Sequence, residues 1–324
     1  MPLLELDLIE RIRRRAGSAR GPVRTGIGDD CAVLRGSAGK EWLVTTDLTV
    51  EGVHFRRDWH PARAVGHRCL ARGLSDIAAM GGEPAAAFLS LALPRRTPQR
   101  WVDEFMEGYL ALARRTGVTL AGGDTAESKA GIVADTMVVG TVPRGQAILR
   151  SGSKPGDQIY VSGRLGGAAA AVAELRKGKR PTSAKEKEAD VAHRTYLFPE
   201  PRLPLGGWLR RHGLATSMID LSDGLSSDLA HICEESRVGA VIHQEDLPMA
   251  DRGDKALEFA LHGGEDYELL FTAPAKAKIP PTAGGVKITR VGEVVRGRGI
   301  YLLQADGRRK ALRARGWQHF GRNR

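Results

Sequence analysis

The sequence predicts a mixed α/β (α+β) protein of two domains, and three observations carry that prediction. Strand-like and helix-like patterns alternate through both halves of the chain. A Gly-, Ser- and Pro-rich stretch, "PRGQAILRSGSKPG" at 143–156, separates those halves. At 324 residues the chain outgrows one small core, which suits two domains, 1–145 and 146–324.

The elements follow in order. "MPLLELDLIERIRRR" reads as an amphipathic helix; its acids among apolar positions, with no small-residue cleavage site, argue against a signal peptide. "EWLVTT" (41–46) is strand-like and "ARAVGHRCLARGLSDIAAM" (62–80) a mostly buried helix. "AAFLSLAL" (86–93) is a strand. "PQRWVDEFMEGYLALARRTG" (98–117) is an amphipathic helix, opened by Pro98 and closed by Gly117, with Trp101, Phe105, Tyr109 and Leu112 on one face. "VTLAGGD" and "GIVADTMVVGTV" read as strands. The second half restarts with the strand "DQIYVSG" (157–163) and a Gly/Ala-rich helix. "ATSMID", "GAVIH", "YELLFT" and "KITRVGEV" then alternate with helices.

Hydrophobic residues at 42% and charged residues at 27% are those of a soluble globular protein, and no stretch of 18 apolar residues predicts a membrane span. The net charge of +11 would suit a polyanion. Most basic residues, however, come as scattered pairs such as Arg95-Arg96 and Arg210-Arg211, which read as solvated helix faces. Aromatics are only 5%, and no stacking platform or zinc-finger spacing is present, so nucleic acid is disfavoured as a partner. Two stretches are denser: 176–190, an exposed loop or frayed helix, and the tail from Arg308 onward. Cys31, Cys69 and Cys233 lie far apart in no metal spacing, which predicts buried reduced thiols and a cytoplasmic protein.

One pattern recurs. "GIGDDCAV" supplies Asp29 and Asp30, "TTDLTVEGVHF" Asp47, "LSDIAAMGG" Asp76, "LAGGDT" Asp124 and "IDLSDG" Asp220 and Asp223. Each is an acid beside Gly, Ser or Thr at the expected edge of an element. Singly, each is an ordinary turn or helix cap. Together, carboxylates gathered on such turns repel one another unless a cation sits among them. Hard oxygen donors without His or Cys at ligand spacing suit Mg²⁺, which usually shares its coordination with substrate phosphates. The standard nucleotide signatures are missing: in "GIGDDC" Cys31 stands where a dinucleotide fingerprint needs Gly, and no P-loop occurs.

The stretches "GIGDDCAV", "TTDLTVEGVHF", "LSDIAAMGGEP", "AGGDT", "LRSGSKPGD", "IDLSDGLSSDL", "GGEDYELLFT" and "GWQHF", in that order over nearly the whole chain, resemble the thiamine-monophosphate kinase family. That family is related to aminoimidazole ribonucleotide synthetase. The resemblance implies ATP-dependent phosphorylation of thiamine monophosphate to thiamine diphosphate, in a homodimer whose N-terminal domains pair their sheets. It implies Asp30, Asp47, Asp76, Asp124 and Asp220 as Mg²⁺ ligands helped by Thr45 and Thr46, with Asp223 on a further ion. Gly123, Asp124, Arg150 and Ser222 are implied as ATP contacts, and His54, Glu265 and Trp317 as thiamine-phosphate contacts. Arg72-Gly73 departs from the pattern, which has Asn near that point, but stands at no matched ligand position.

The chemistry agrees with the composition. A phosphate monoester has a second pKa of about 6, so its oxygen needs little help from a general base. What must be cancelled is its repulsion by a triphosphate, a task for carboxylate-held Mg²⁺. No Ser, Cys or His stands beside an evident activating base, so direct transfer is expected. Other ATP-using enzymes of the same superfamily are the alternative, with a basic nucleic-acid-binding protein behind them. A hydrogenase-maturation protein would need a C-terminal Cys, and a selenophosphate synthetase a reactive residue in an N-terminal Gly-rich segment. The sequence has neither. In the tail, Trp317 is expected on the thiamine ring or as a lid over the second domain's core, and Phe320 in simple packing.

Overall fold

The structure, a computed structural model, describes residues 5–17, 19–180, 191–317 and 319. Its first half contains α1 (Glu5–Ala16), β1 (Val23–Thr25), β2 (Ala32–Arg35), β3 (Lys40–Val50), α2 (Ala62–Ala79), β4 (Glu83–Pro94), α3 (Gln99–Thr116), β5 (Thr119–Ser128) and β6 (Val133–Pro143). The strands form one sheet in the order β1-β2-β3-β6-β4-β5. Its pairs are antiparallel except β4 with β5, which are parallel and joined through α3.

The second half contains β7 (Gln158–Ser162), α4 (Gly167–Arg176), α5 (Val191–Leu197), α6 (Leu203–His212), β8 (Ser217–Asp220), α7 (Leu225–Ser236) and β9 (Gly239–His243). It continues with α8 (Ala256–His262), β10 (Leu269–Ala273), β11 (Thr282–Ala283), β12 (Val286–Val295), β13 (Gly299–Leu303) and β14 (Arg309–Ala311). The second sheet runs β14-β13-β9-β12-β7-β10-β8, with β11 against β12. Mixed α/β architecture with two sheets is thus what the chain adopts.

Strand alternation decides which way the first sheet faces. In β3, Leu43, Thr45 and Thr49 are buried under α2, while Trp42, Thr46 and Leu48 are exposed on the outward face. α2 is buried along nearly its whole length, as its small residues allow. One side packs on the first sheet and α3, the other on α6. Gly206 of α6 makes that second contact possible, since a Cβ there would lie 2.0 Å from the Ala78 carbonyl oxygen. Arg210 ties the same joint by donating to the Gly81 carbonyl at 2.7 Å and to Glu83 at 2.8 Å.

α3 follows its periodicity. Phe105, Tyr109 and Leu112 are fully buried, Trp101, Phe105 and Tyr109 stack in series, and Gly117 closes the helix at φ 71°. All three cysteines are free and buried. Two elements differ from expectation. β5 continues through Asp124 to Ser128, because an edge strand with a bulge at Ala87/Phe88 tolerates Gly122 and Gly123. β10 starts at Leu269, not Tyr267, because Glu265 and Tyr267 hold left-handed φ of 68° and 51°. The basic stretch is an exposed end to α4 as far as Arg180; 181–190, like Phe320, lies outside the described residues. Among the described residues no helix is long and apolar enough to cross a membrane.

Candidate active site

The acids were expected at the edges of elements, and only some are there. Asp30 sits in the bend before β2 and Asp220 ends β8, with Asp223 in the turn that follows. Asp47 lies inside β3, Asp124 inside β5 and Asp76 in the last turn of α2. Thr and Gly flank strand acids as readily as turn acids, which is why the neighbours misled.

Chain segments far apart in sequence nevertheless converge. One carboxylate oxygen from each of Asp30, Asp76 and Asp220 lies within 4.8 Å of the others. Thr45 donates its hydroxyl to Asp76, and Ser75 donates to Asp220 at 2.6 Å. Arg150 donates to Asp30 Oδ1 at 2.6 Å, leaving the buried Asp30 Oδ2 without a partner. Asp29, read from sequence as a plain turn residue, accepts from the Asp30 N–H at 3.1 Å and the Arg150 N–H at 3.2 Å. It holds the two ends of this ion pair together.

The electrostatics match that crowding. Burial first, then the charges of Asp47, Asp220 and Asp30, push the Asp76 carboxyl well above the usual range. Burial raises Asp30 despite the opposing Arg150. Asp220 is pushed up to about 7 by burial and then by Asp30, with the Ser75 hydrogen bond acting against the shift. Burial, then Glu5, raises Asp223 to about 6. Carboxylates this close repel in proportion to their ionisation, and a hard divalent cation among them would relieve the repulsion. The all-oxygen donor set and the orphaned Asp30 oxygen fit such an ion.

Some of the candidate residues stay outside this cluster. Thr46 turns outward and donates to Asp135 Oδ1 at 2.7 Å. Asp124 pairs in register with Ser90, and Ser90 with Asp135, which places it on the outward face. It stands three strands from β3, about 14 Å at ordinary strand spacing. Gly123 adjoins it at φ 155°.

A second wall adjoins the cluster. His54 Nδ1 accepts the Val50 N–H at 3.0 Å, while its buried Nε2 has no partner. Burial, then Arg72 and His319, lowers its pKa to about 3, so the ring is neutral. His319 meets His54 at 5.1 Å between ring centroids and Trp317 at 5.9 Å, both edge-on. Trp317 is 39% exposed, so it does not cover the second half's core. Glu265 donates its N–H to the Ser222 carbonyl at 2.7 Å, and its carboxylate accepts from Arg68 at 2.5 Å. Arg68 is itself buried, with its guanidinium 4.4 Å over the Tyr196 ring.

The "SSD" of "IDLSDGLSSDL", Ser226 to Asp228, explains how the tail reaches this wall. Asp228, 1% exposed, accepts the N–H groups of Asp223 and Gly224 at 3.2 and 2.9 Å and fixes the turn. Ser226 and Ser227 accept the N–H groups of Arg315 and Gly316 at 3.3 and 3.0 Å, and Trp317 N–H reaches the Asp223 carbonyl at 3.1 Å. Gly316 must be Gly, since a Cβ would lie 2.3 Å from that carbonyl oxygen. One Ser–His pair does exist, contrary to expectation: Ser226 Oγ is 2.8 Å from His262 Nδ1. Ser226 is closed to solvent and His262 half-buried, and the same hydroxyl is engaged with the tail. Arg68 lay in no quoted motif, Ser75 and Asp228 lay inside two of them but were given no role, and Arg72 was set aside although it lies 3.4 Å from Asp47.

Both halves of the chain match the AIR synthase related proteins. The N-terminal domain of that class matches residues 28–142 and its C-terminal domain residues 154–303. Within the class, the chain belongs to the thiamine-monophosphate kinase family. It is 40% identical to the thiamine-monophosphate kinase of Escherichia coli (strain K12), over 98% of both chains. With that of Bacillus subtilis (strain 168) it shares 34% over 98% of this chain and 99% of the relative. A solved structure described as AaThiL complexed with AMPPCP and TMP superposes with a TM-score of 0.86 at 31% identity, covering 98% of this chain and 99% of that one.

Proposed function

We propose that this protein transfers the γ-phosphoryl group of ATP directly to the phosphate of thiamine monophosphate, giving thiamine diphosphate and ADP. The observation that carries the reading is the convergence of Asp30, Asp76 and Asp220 within 4.8 Å beside the wall of His54, Glu265 and Trp317. A cluster that takes metal-bound phosphates adjoins a wall that takes a cationic ring.

Asp30, Asp76 and Asp220, with Asp47 and Thr45 beside them, would hold Mg²⁺, and Asp223 a further ion. Bound there, Mg²⁺ would neutralise both phosphates and favour in-line transfer. Arg150, oriented by Asp29, is placed to take a nucleotide phosphate, and Ser222 lies in the same turn system. Trp317 offers an aromatic face to the thiamine cation, Glu265 offers charge, and neutral His54 offers an unused ring nitrogen. The acceptor oxygen is already ionised, so no residue has to remove a proton from it. Ser226, closed to solvent and bonded to the tail, is not placed to form a phosphoenzyme.

A homodimer is part of this reading. The outward face of the first sheet exposes Trp42 and Leu48, large apolar groups that a second sheet would cover. Gly123, Asp124 and Thr46 lie on or beside that face, so we assign their nucleotide and metal contacts to the paired state. The domain division at 145/146 and a cytoplasmic location, consistent with three free buried thiols, complete the proposal.

The test is purified protein with ATP, Mg²⁺ and thiamine monophosphate, followed for thiamine diphosphate. Free thiamine in place of the monophosphate should give no product. Turnover of free thiamine with none of the monophosphate overturns the assignment.

A further inference from the structure

We propose that Arg72 grips the phosphate of the acceptor substrate, holding it between the carboxylate cluster and the thiamine-facing wall. The inference rests on the function proposed above and adds to that site a binding residue.

Position is the first argument. Arg68, Arg72 and Asp76 succeed one another at intervals of four on α2 and so share one face of the helix. Arg68 ends that row at Glu265, on the substrate wall, and Asp76 ends it in the carboxylate cluster. Successive members are about 6 Å apart along the axis. A phosphate ester whose ring lies on the wall and whose oxygen must meet a metal-bound γ-phosphoryl has to pass the middle of this row, where Arg72 stands.

Geometry is the second. Arg72 Nη1 donates to the Leu48 carbonyl at 2.9 Å, which anchors one side of the guanidinium. Its Nη2 stands 3.4 Å from Asp47 Oδ1, too far for a strong charge-assisted bond. A structural arginine in the same protein looks different: Arg202 places both Nε and Nη2 on Glu268. Arg72 thus has donors to spare, on a side chain that is 17% exposed. A planar guanidinium fork of that kind suits two phosphate oxygens at once.

Charge is the third. A guanidinium stays protonated at any working pH, and Asp47 faces it at 3.4 Å. The same cation is felt by Asp223 and His54. It is therefore a fixed positive charge facing groups from both halves, at the place where two phosphate groups must approach each other.

The experiment is calorimetric binding to the full-length protein, with thiamine monophosphate and with free thiamine, each in EDTA and in Mg²⁺. Arg72→Gln should weaken thiamine monophosphate about 10- to 100-fold, the range of a hydrogen bond to a charged group, and leave free thiamine unchanged. Arg72→Lys should lose less, because it keeps the charge without the fork. Should Arg72→Gln not fold, Arg72→Lys decides alone, through a loss confined to the phosphorylated ligand. Unchanged affinity for thiamine monophosphate, or an equal loss for both ligands, overturns the inference. Wild-type turnover is measured first: no turnover of thiamine monophosphate removes the functional reading itself, whereas normal turnover with an unaffected variant removes only the role of Arg72.

Discussion

Ser75 on α2 donates a 2.6 Å hydrogen bond to Asp220 at the end of β8, and both side chains are closed to solvent. A single hydroxyl thus joins the first half of the chain to a carboxylate of the second. Ser75→Ala removes a donor from a buried acid, which costs about 1–3 kcal/mol. The expected result is a melting temperature lower by several degrees and a several-fold higher Mg²⁺ concentration for half-maximal activity. Unchanged values for both would show that the bond neither supports the fold nor prepares Asp220.

The metal-free protein should lose stability as pH rises from 6.5 to about 8. Asp29 and Asp220 hold protons in the folded state up to about 7 and Asp223 up to about 6, against an ordinary value of 3.8. The native state therefore binds more protons than the unfolded chain in this range, and raising the pH favours unfolding. Below 6.5 the buried neutral His54, His60 and His231 act in the opposite direction, because burial lowers their pKa values. Melting curves in EDTA should therefore fall with pH above 6.5, and saturating Mg²⁺ should remove much of the slope. Part will persist through Asp266, raised to about 7 by burial while it accepts the Gly166 and Ala168 N–H groups at the start of α4. A melting temperature that climbs with pH in EDTA would contradict this account.

Asp30→Asn and Asp76→Asn should each lose most activity, measured as thiamine diphosphate formed at saturating Mg²⁺, and remain folded. Each replaces a crowded, burial-strained carboxylate with a neutral amide, so stability in EDTA should hold or improve. Near-wild-type turnover would take that residue out of the metal set. Asp29 is not the mild control that its place in a turn suggests. Asp29→Ala frees the Asp30 and Arg150 N–H groups and should raise the KM for ATP about tenfold, a loss of about 1.4 kcal/mol.

Trp317→Ala should raise the KM for thiamine monophosphate by roughly 2- to 30-fold, matching a cation–π contribution of about 0.5–2 kcal/mol. The KM for ATP should change little. At 39% exposure, the ring contributes little to a core, so the melting temperature should barely move. A large drop in melting temperature with both KM values intact would make Trp317 a packing residue after all.

Periodicity made the helices legible: Trp101, Phe105, Tyr109 and Leu112 announce α3, and its caps are where Pro98 and Gly117 put them. The acids were legible as a set because Gly, Ser and Thr cluster around them. Their secondary structure was not, since Thr45-Thr46 and Gly122-Gly123 suit a strand as well as a turn. Glu265 and Tyr267 hide a left-handed backbone behind residue types that rarely adopt it. The roles of Arg68, Ser75 and Asp228 were hidden for another reason. Two of them act on residues 197 and 145 positions away, and Asp228 looks like any acid in a first helical turn. Such long-range pairs leave no local trace.

α2 gives the site a fixed gauge. Arg68 and Asp76 are eight residues apart on one rod, about 12 Å at helical rise, and every intermediate distance is set by the helix rather than by loops. Any movement between the two halves would leave the spacing from Arg68 to Asp76 unchanged. Inserting one residue between Arg68 and Asp76 would turn one end by about 100° against the other. Evolution of a longer or shorter acceptor would therefore have to work at the ends of this rod, at Glu265 or in the tail, because its middle cannot be stretched.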